Sequence, residues 1–132
     1  MLVRDIMKGL VETTSPDEPA ERAHEEMHLR GVHHLVVTRG DELLGVISDR
    51  DLGGPHGDEF RSGRQVQDLM VANPICGTLE MSVQQVAAQM LRHSISCLPI
   101  VADGKLVGIV TASDLLEIIV RGGDFGVRGG KR

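Results

Sequence analysis

A chain of 132 residues with a net charge of −5 and an ordinary apolar content is long enough for one compact domain or two small halves sharing a core, and its composition argues against disorder. No apolar run approaches the roughly 18 residues of a membrane span and no signal-peptide core follows Met1, so the expectation is a cytoplasmic protein without membrane contact. Residues 121–132 carry +3 and the remainder −8, with no Trp or Tyr and only Phe60 and Phe125, which leaves neither the basic face nor the aromatic platform of nucleic-acid binding.

In chain order, Asp17, Glu18, Pro19 and Glu21 mark the first turn of a helix over about 19–30, which Gly31 ends. Residues 35–38 and 43–48 read as strands around Gly40-Asp41, and Gly53-Gly54-Pro55 cuts short the helix that should follow. Residues 53–63 read as a linker, residues 64–70 as a short helix and Ile75-Cys76 as a brief strand. Ser82 and Gln85 form a capping box ahead of an amphipathic helix whose packed face is Val83, Val86, Ala87, Met90 and Leu91. A strand over 95–101 contains Pro99, which favours an edge or strand-end position. Asp103-Gly104 is a tight-turn signal, and 106–111 is a second strand. The last helix runs from Ala112 through Leu115, Leu116, Ile118 and Ile119 to Arg121, and Gly122-Gly123 stops it. Residues 122–132 read as a flexible tail; their Gly/Arg content raises an RNA-binding alternative that simple disorder outweighs.

These elements describe one unit written twice. Residues 3–52 align on 66–115 at a constant offset of 63 without a gap: Val3, Asp5, Met7, Met27, Leu43, Gly45, Asp51 and Leu52 recur as Val66, Asp68, Met70, Met90, Leu106, Gly108, Asp114 and Leu115. The organisation expected is therefore repeat 1 over 1–52, linker 53–63, repeat 2 over 64–121 and tail 122–132. An antiparallel strand pair with flanking helices gives an α+β sandwich with helices on one sheet face. A half of this size is marginal alone, so the repeats should bury each other about a pseudo-two-fold axis, and a site on one should occur on both.

The recurring polar positions are Gly45-x-x-Ser48-x-x-Asp51 and Gly108-x-x-Thr111-x-x-Asp114, each hydroxyl where a strand ends and each carboxylate one turn on. A hydroxyl three residues before an acid is a capping box and needs no ligand. The same geometry also suits a nucleotide. A helix N-terminus attracts phosphate, a hydroxyl adds a donor, and an ionised Asp can accept from both vicinal hydroxyls of a ribose.

These two motifs, with Asp5-Ile6-Met7 and Asp68-Leu69-Met70 at the start of each copy and Leu98-Pro99-Ile100, resemble tandem cystathionine-β-synthase-type (CBS) domains, a pair known as a Bateman module, over about residues 1–121. The resemblance implies a regulatory, ligand-sensing module. It would bind AMP, ADP, ATP or S-adenosylmethionine in clefts between the repeats and signal to a separate effector protein in trans. It implies that Asp51 and Asp114 hold the ribose and that Ser48 and Thr111 approach phosphate. Thr13, replaced by Cys76 in the second copy, would lie near the base, and Leu35-Val36 and Leu98-Pro99 would line the pocket. Arg50 is a candidate phosphate contact whose counterpart is Ser113. The family pattern has Pro where Val36 stands. It also implies a homodimer associating through helices, with the 115–120 and 83–91 faces as candidates.

Three other readings compete. A structural dimerisation module with degenerate clefts would show the same repeats. His24 and His28, one helical turn apart, with His33-His34 nearby, have metal-chelating spacing, but no Cys or carboxylate completes a ligand set and the register puts His24 and His28 on a packed face. An enzyme is not expected, because no nucleophile has an evident His–acid partner and no P-loop or dinucleotide fingerprint is present. Cys76 and Cys97 both fall in the second copy and are expected to be free thiols.

Overall fold

A computed structural model describes residues 1–122; the tail expected beyond Gly122 lies outside the described residues. After a single 3-10 turn over Val3–Asp5, the elements are β1 (Thr13–Thr14), α1 (Ala20–Arg30), β2 (His34–Arg39), β3 (Glu42–Ser48), α2 (Asp58–Arg61), α3 (Val66–Leu69), β4 (Val71–Ala72), α4 (Val83–His93), β5 (Cys97–Ala102), β6 (Lys105–Thr111) and α5 (Ala112–Val120). None of these helices is long and apolar enough to cross a membrane.

The chain forms two compact units that are cut differently from the sequence repeats. One unit spans Val11–Pro74; the other joins Met1–Leu10 to the chain from Ile75 onward. Each therefore contains one repeat's body and the other repeat's lead-in. The cores show this residue by residue. In the 11–74 unit the core is Ala20, Ala23, Met27, Leu35, Val37, Ile47, Leu52 and Val66. In the other it is Val83, Val86, Met90, Leu98, Ile100, Val110, Leu115 and Val3. Every member of one set lies 63 positions from a member of the other, and the crossed pair is Val3 and Val66.

The sheets repeat as well. In the 11–74 unit the strand order is β1-β2-β3-β4, with β1 parallel to β2 and the remaining pairs antiparallel. In the other unit β5 and β6 pair antiparallel, Gly77 bridges Ile100 in parallel, and Lys8 bridges Ile109 antiparallel. The strand expected at Ile75-Cys76 is thus reduced to the single bridge at Gly77. Pro99 fits because its side of β5 faces Gly77: the Gly77 N–H donates to the Pro99 carbonyl at 2.8 Å, and Val101 donates to Gly77 at 2.9 Å. The missing proline N–H costs the β5–β6 ladder nothing. Val36, at the same register in β2, donates its N–H to the Glu12 carbonyl at 3.0 Å instead.

Local signals behave as expected at α4, where Gln85 N–H donates to Ser82 Oγ at 3.0 Å and Ser82 N–H to Gln85 Oε1 at 2.8 Å. Val83, Val86 and Met90 are buried, but Leu91, expected on the packed face, is 83% exposed. The packed stripe is Val83, Val86 and Met90 with Ala87 against it, one position narrower than the i, i+3, i+4 pattern implies. On α1, His24 is partly buried and His28 exposed, so the helix's packed face is Ala20, Ala23 and Met27 rather than the histidines.

Residues 53–63, expected as a linker, are built into the 11–74 unit. The helix expected after Asp51 is absent; Gly53 and Gly54 adopt positive φ and the chain turns away. It returns through α2, which delivers Arg61 into the interior, 1% exposed. Its guanidinium donates to the carbonyls of Leu52 at 2.8 Å and Gly54 at 2.7 Å, and pairs with Glu21 at 3.1 Å and Asp58 at 2.9 Å.

Candidate functional site

The two Gly-x-x-[Ser/Thr]-x-x-Asp motifs form matching corners, one in each unit. In the 11–74 unit, Asp51 N–H donates to Ser48 Oγ at 3.1 Å and Ser48 N–H donates to Asp51 Oδ2 at 2.9 Å. In the other unit, Asp114 N–H donates to Thr111 Oγ1 at 3.2 Å and Thr111 N–H donates to Asp114 Oδ2 at 2.8 Å. Both are complete capping boxes, so each Asp uses one oxygen to hold its own backbone. The Thr111 box starts a nine-residue helix, α5, and the Ser48 box starts only a turn.

The motif glycines make room for strand pairing. A Cβ on Gly45 would lie 2.6 Å from the Val71 carbonyl oxygen and 2.8 Å from Met70 Sδ; one on Gly108 would lie 2.5 Å from Met7 Sδ and 3.1 Å from the Lys8 carbonyl oxygen. The recurring Met7 and Met70 are thus the residues that lie over the glycines. The recurring Asp5 and Asp68 cap the turns that precede those methionines, accepting from Leu2 N–H at 3.1 Å and Gln65 N–H at 2.8 Å.

The second carboxylate oxygens separate the two corners. Asp114, 7% exposed, receives the Lys8 ammonium on Oδ1 at 2.8 Å. Asp51 is partly buried, and its Oδ1 accepts no hydrogen bond from the described residues. Lys8 and Val71 occupy the same register, so the cation is present in one unit and replaced by an isopropyl group in the other.

The remaining candidates divide between the two sides of each sheet. Leu35 and Leu98 belong to the hydrophobic cores, so their side chains are packed beneath the helices. Val36 and Pro99, one residue on, are buried but point to the opposite face, as strand alternation requires. Thr13 pairs with Val36 through β1 and is exposed, while Cys76 is partly buried and burial raises its thiol pKa. Arg50 is exposed and forms no ion pair among the described residues. Across the hairpins His34 faces Ser48 and Cys97 faces Thr111. Burial lowers the His34 pKa, partly offset by the charges of Asp49 and Asp51. Burial, assisted by Asp114, pushes the Cys97 thiol up to about 12. Cys76 and Cys97 are thiols and form no disulfide.

His24, His28, His33 and Asp49 line a cavity of about 280 Å³ in the 11–74 unit, with His33 Nδ1 2.9 Å from Asp49 Oδ2. No three His, Cys, Asp or Glu side chains among the described residues are grouped to hold a metal ion. Sequence reasoning missed Lys8 and Arg61. The alignment contains a signal for Lys8, its pairing with valine, whereas nothing local to 53–63 marks Arg61 for burial.

The model of the CBS domain family matches residues 3–52 and 66–121, the same two copies that carry the corners. The chain belongs to the CBS domain family. Among curated relatives, this CBS chain is 32% identical over 114 residues to the CBS domain-containing protein YhcV of Bacillus subtilis, covering 86% of this chain and 81% of that one. It is 31% identical over 118 residues to the inosine-5′-monophosphate dehydrogenase of Thermoplasma acidophilum, covering 88% of this chain but spanning only 22% of the dehydrogenase. Among solved structures, the CBS domain pair of MJ0100 in complex with 5′-methylthioadenosine and S-adenosyl-L-methionine matches with a TM-score of 0.81 at 24% identity, covering 92% of this chain and 98% of that one. CBSX2 in complex with AMP matches with a TM-score of 0.76 at 26% identity, covering 91% and 97%.

Proposed function

We propose that this CBS pair is a regulatory module that binds an adenosine-type ligand at the Ser48–Asp51 and Thr111–Asp114 corners and passes the binding event to a separate effector protein. One observation carries the reading: both corners present a second carboxylate oxygen beyond the one the capping box uses, and at Asp51 that oxygen has no protein donor among the described residues. A ribose diol supplies two donors of the kind such an oxygen accepts. The adenosyl ligands of MJ0100 and the AMP of CBSX2 support the ligand class. Val36 and Pro99, on the sheet face away from the helices, are the apolar candidates for contact with the base, with Thr13 and Cys76 beside them.

The proposed partner in solution is a second copy of the chain. Leu91 on α4 and Leu116, Ile119 and Val120 on α5 are all more than half exposed in one unit, an apolar surface suited to self-association. Signalling requires that the ligand bind two arrangements of the protein with different affinity.

Calorimetry against AMP, ADP, ATP and S-adenosylmethionine tests the reading, using Asp51→Asn and Asp114→Asn. Asparagine keeps an acceptor for the backbone N–H and removes the charge. Each substitution is expected to weaken binding at its own corner by about tenfold or more, since a hydrogen bond to a charged group contributes roughly 1.5–3 kcal/mol. Undiminished binding in both variants overturns the ribose assignment.

A further inference from the structure

The difference between the two corners has a chemical consequence, which rests on the adenosine reading. Lys8 exchanges both backbone hydrogen bonds with Ile109, each 3.0 Å, which seats it beside the start of α5. Its ammonium then lies 2.8 Å from Asp114 Oδ1 while Thr111 N–H holds Oδ2, so both oxygens of this buried carboxylate are engaged. Val71 occupies the same place in the 11–74 unit, opposite Val46, and brings no charge to Asp51.

A ribose that takes Asp114 Oδ1 competes with the ammonium. Lys8 is 67% exposed on a flexible stem, so it can swing aside without unpacking anything. Where it swings depends on the ligand. A 5′-phosphate carries between one and two negative charges and offers the displaced ammonium a new counter-ion. Adenosine offers none, and a sulfonium centre repels it. The cation therefore acts twice in the same direction: it handicaps ligands without a phosphate and attracts those with one.

We propose that Lys8 is a specificity-determining residue that makes the Asp114 corner select 5′-phosphorylated adenosine over unphosphorylated adenosyl ligands, while the Asp51 corner, with Val71 in that place, lacks this source of discrimination. The two corners of one chain would then favour ligands of different charge.

The test is the ratio of AMP to adenosine affinity at one corner at a time, by calorimetry. In an Asp51→Asn background, Lys8→Met is expected to lower the AMP-over-adenosine preference by about threefold or more, the scale of an exposed charge pair. In an Asp114→Asn background, Val71→Lys, at a half-exposed position, is expected to raise that preference at Asp51 by a similar factor. An unchanged ratio in Lys8→Met, with Asp114→Asn still weakening binding, overturns the role of Lys8 and leaves the adenosine reading standing. Wild-type protein that binds neither AMP nor adenosine overturns both.

Discussion

The guanidinium of Arg61 donates to the Leu52 carbonyl at 2.8 Å, one residue beyond Asp51, and to the Gly54 carbonyl at 2.7 Å. In the other unit the chain after Asp114 continues as α5 and its carbonyls are satisfied within the helix. In the 11–74 unit Gly53 and Gly54 end that possibility, and the buried Arg61 of α2, nine residues beyond Leu52, supplies the donors instead. Arg61→Met leaves the buried Leu52 carbonyl without a partner and the Gly54 carbonyl with only the Gly57 N–H, and is expected to lower stability by roughly 1–3 kcal/mol, read as a fall in the urea midpoint at constant slope. Arg61→Lys should restore only part of it, because an ammonium cannot present a planar fork to four acceptors. A variant as stable as wild type would refute this role.

The glycines of the two motifs should tolerate alanine unequally. At Gly45 the new methyl meets backbone oxygen of a paired strand; at Gly108 its nearest neighbour is the flexible end of Met7. Gly45→Ala is expected to cost about 1–3 kcal/mol, and Gly108→Ala less. Equal losses in chemical denaturation would mean that the paired backbone yields as easily as a thioether.

Capping and ligand contact can be separated at the corners. Ser48→Ala and Thr111→Ala each remove a hydroxyl that accepts a backbone N–H, and each is expected to cost about 1 kcal/mol. Asp51→Asn keeps the box and should shift stability by less than about 1 kcal/mol while weakening binding, whereas Asp114→Asn also breaks the Lys8 pair at a carboxylate that is 7% exposed and should cost more. If the asparagine variants lose stability and binding in proportion, the carboxylates act through the fold alone.

Adjacent positions on α4 should differ sharply. Met90 is 6% exposed and Leu91 83%. Met90→Ala is expected to lower stability by about 2–5 kcal/mol, and Leu91→Ala to leave it within about 0.5 kcal/mol at protein concentrations that keep the chain monomeric. At higher concentration, analytical ultracentrifugation should show Leu91→Ala weakening self-association.

One register position sets opposite pH limbs in the two units. Burial lowers the pKa of His34, so below about pH 6.5 the unfolded chain takes up a proton that the folded chain resists, and this contribution to stability falls with falling pH. Burial raises the Cys97 thiol to about 12, so between roughly pH 9 and 12 the unfolded chain releases a proton that the folded chain keeps, and stability falls with rising pH. His34→Gln should flatten the acid limb and Cys97→Ala the alkaline limb in thermal melts across pH. Cys97 should also resist alkylation in the native protein at neutral pH, where its thiolate is scarce.

Much of this was legible beforehand for local reasons. The capping boxes at Ser82, Ser48 and Thr111 and the turns at Gly40-Asp41 and Asp103-Gly104 depend on residues within four positions of one another, so their chemistry is written in adjacent letters. The repeat itself needed only comparison of the chain with itself. The extent of the packed face on α4 was less legible, because periodicity says which side is apolar but not how much sheet lies beneath it; Leu91 was left outside for that reason.

Short-range stereochemistry and comparison of the chain with itself are enough to read the duplicated unit, its helices and hairpins, and the two hydroxyl–carboxylate corners from the amino-acid order. That Val3 joins the core of the second repeat and Val66 that of the first is a matter of packing alone, since the alignment reads the same whichever copy each one packs against. The burial of Arg61 beneath the turn after Asp51, and the meeting of Lys8 with Asp114 across 106 positions of chain, were likewise decided by packing, which brings together residues whose separation leaves no local trace.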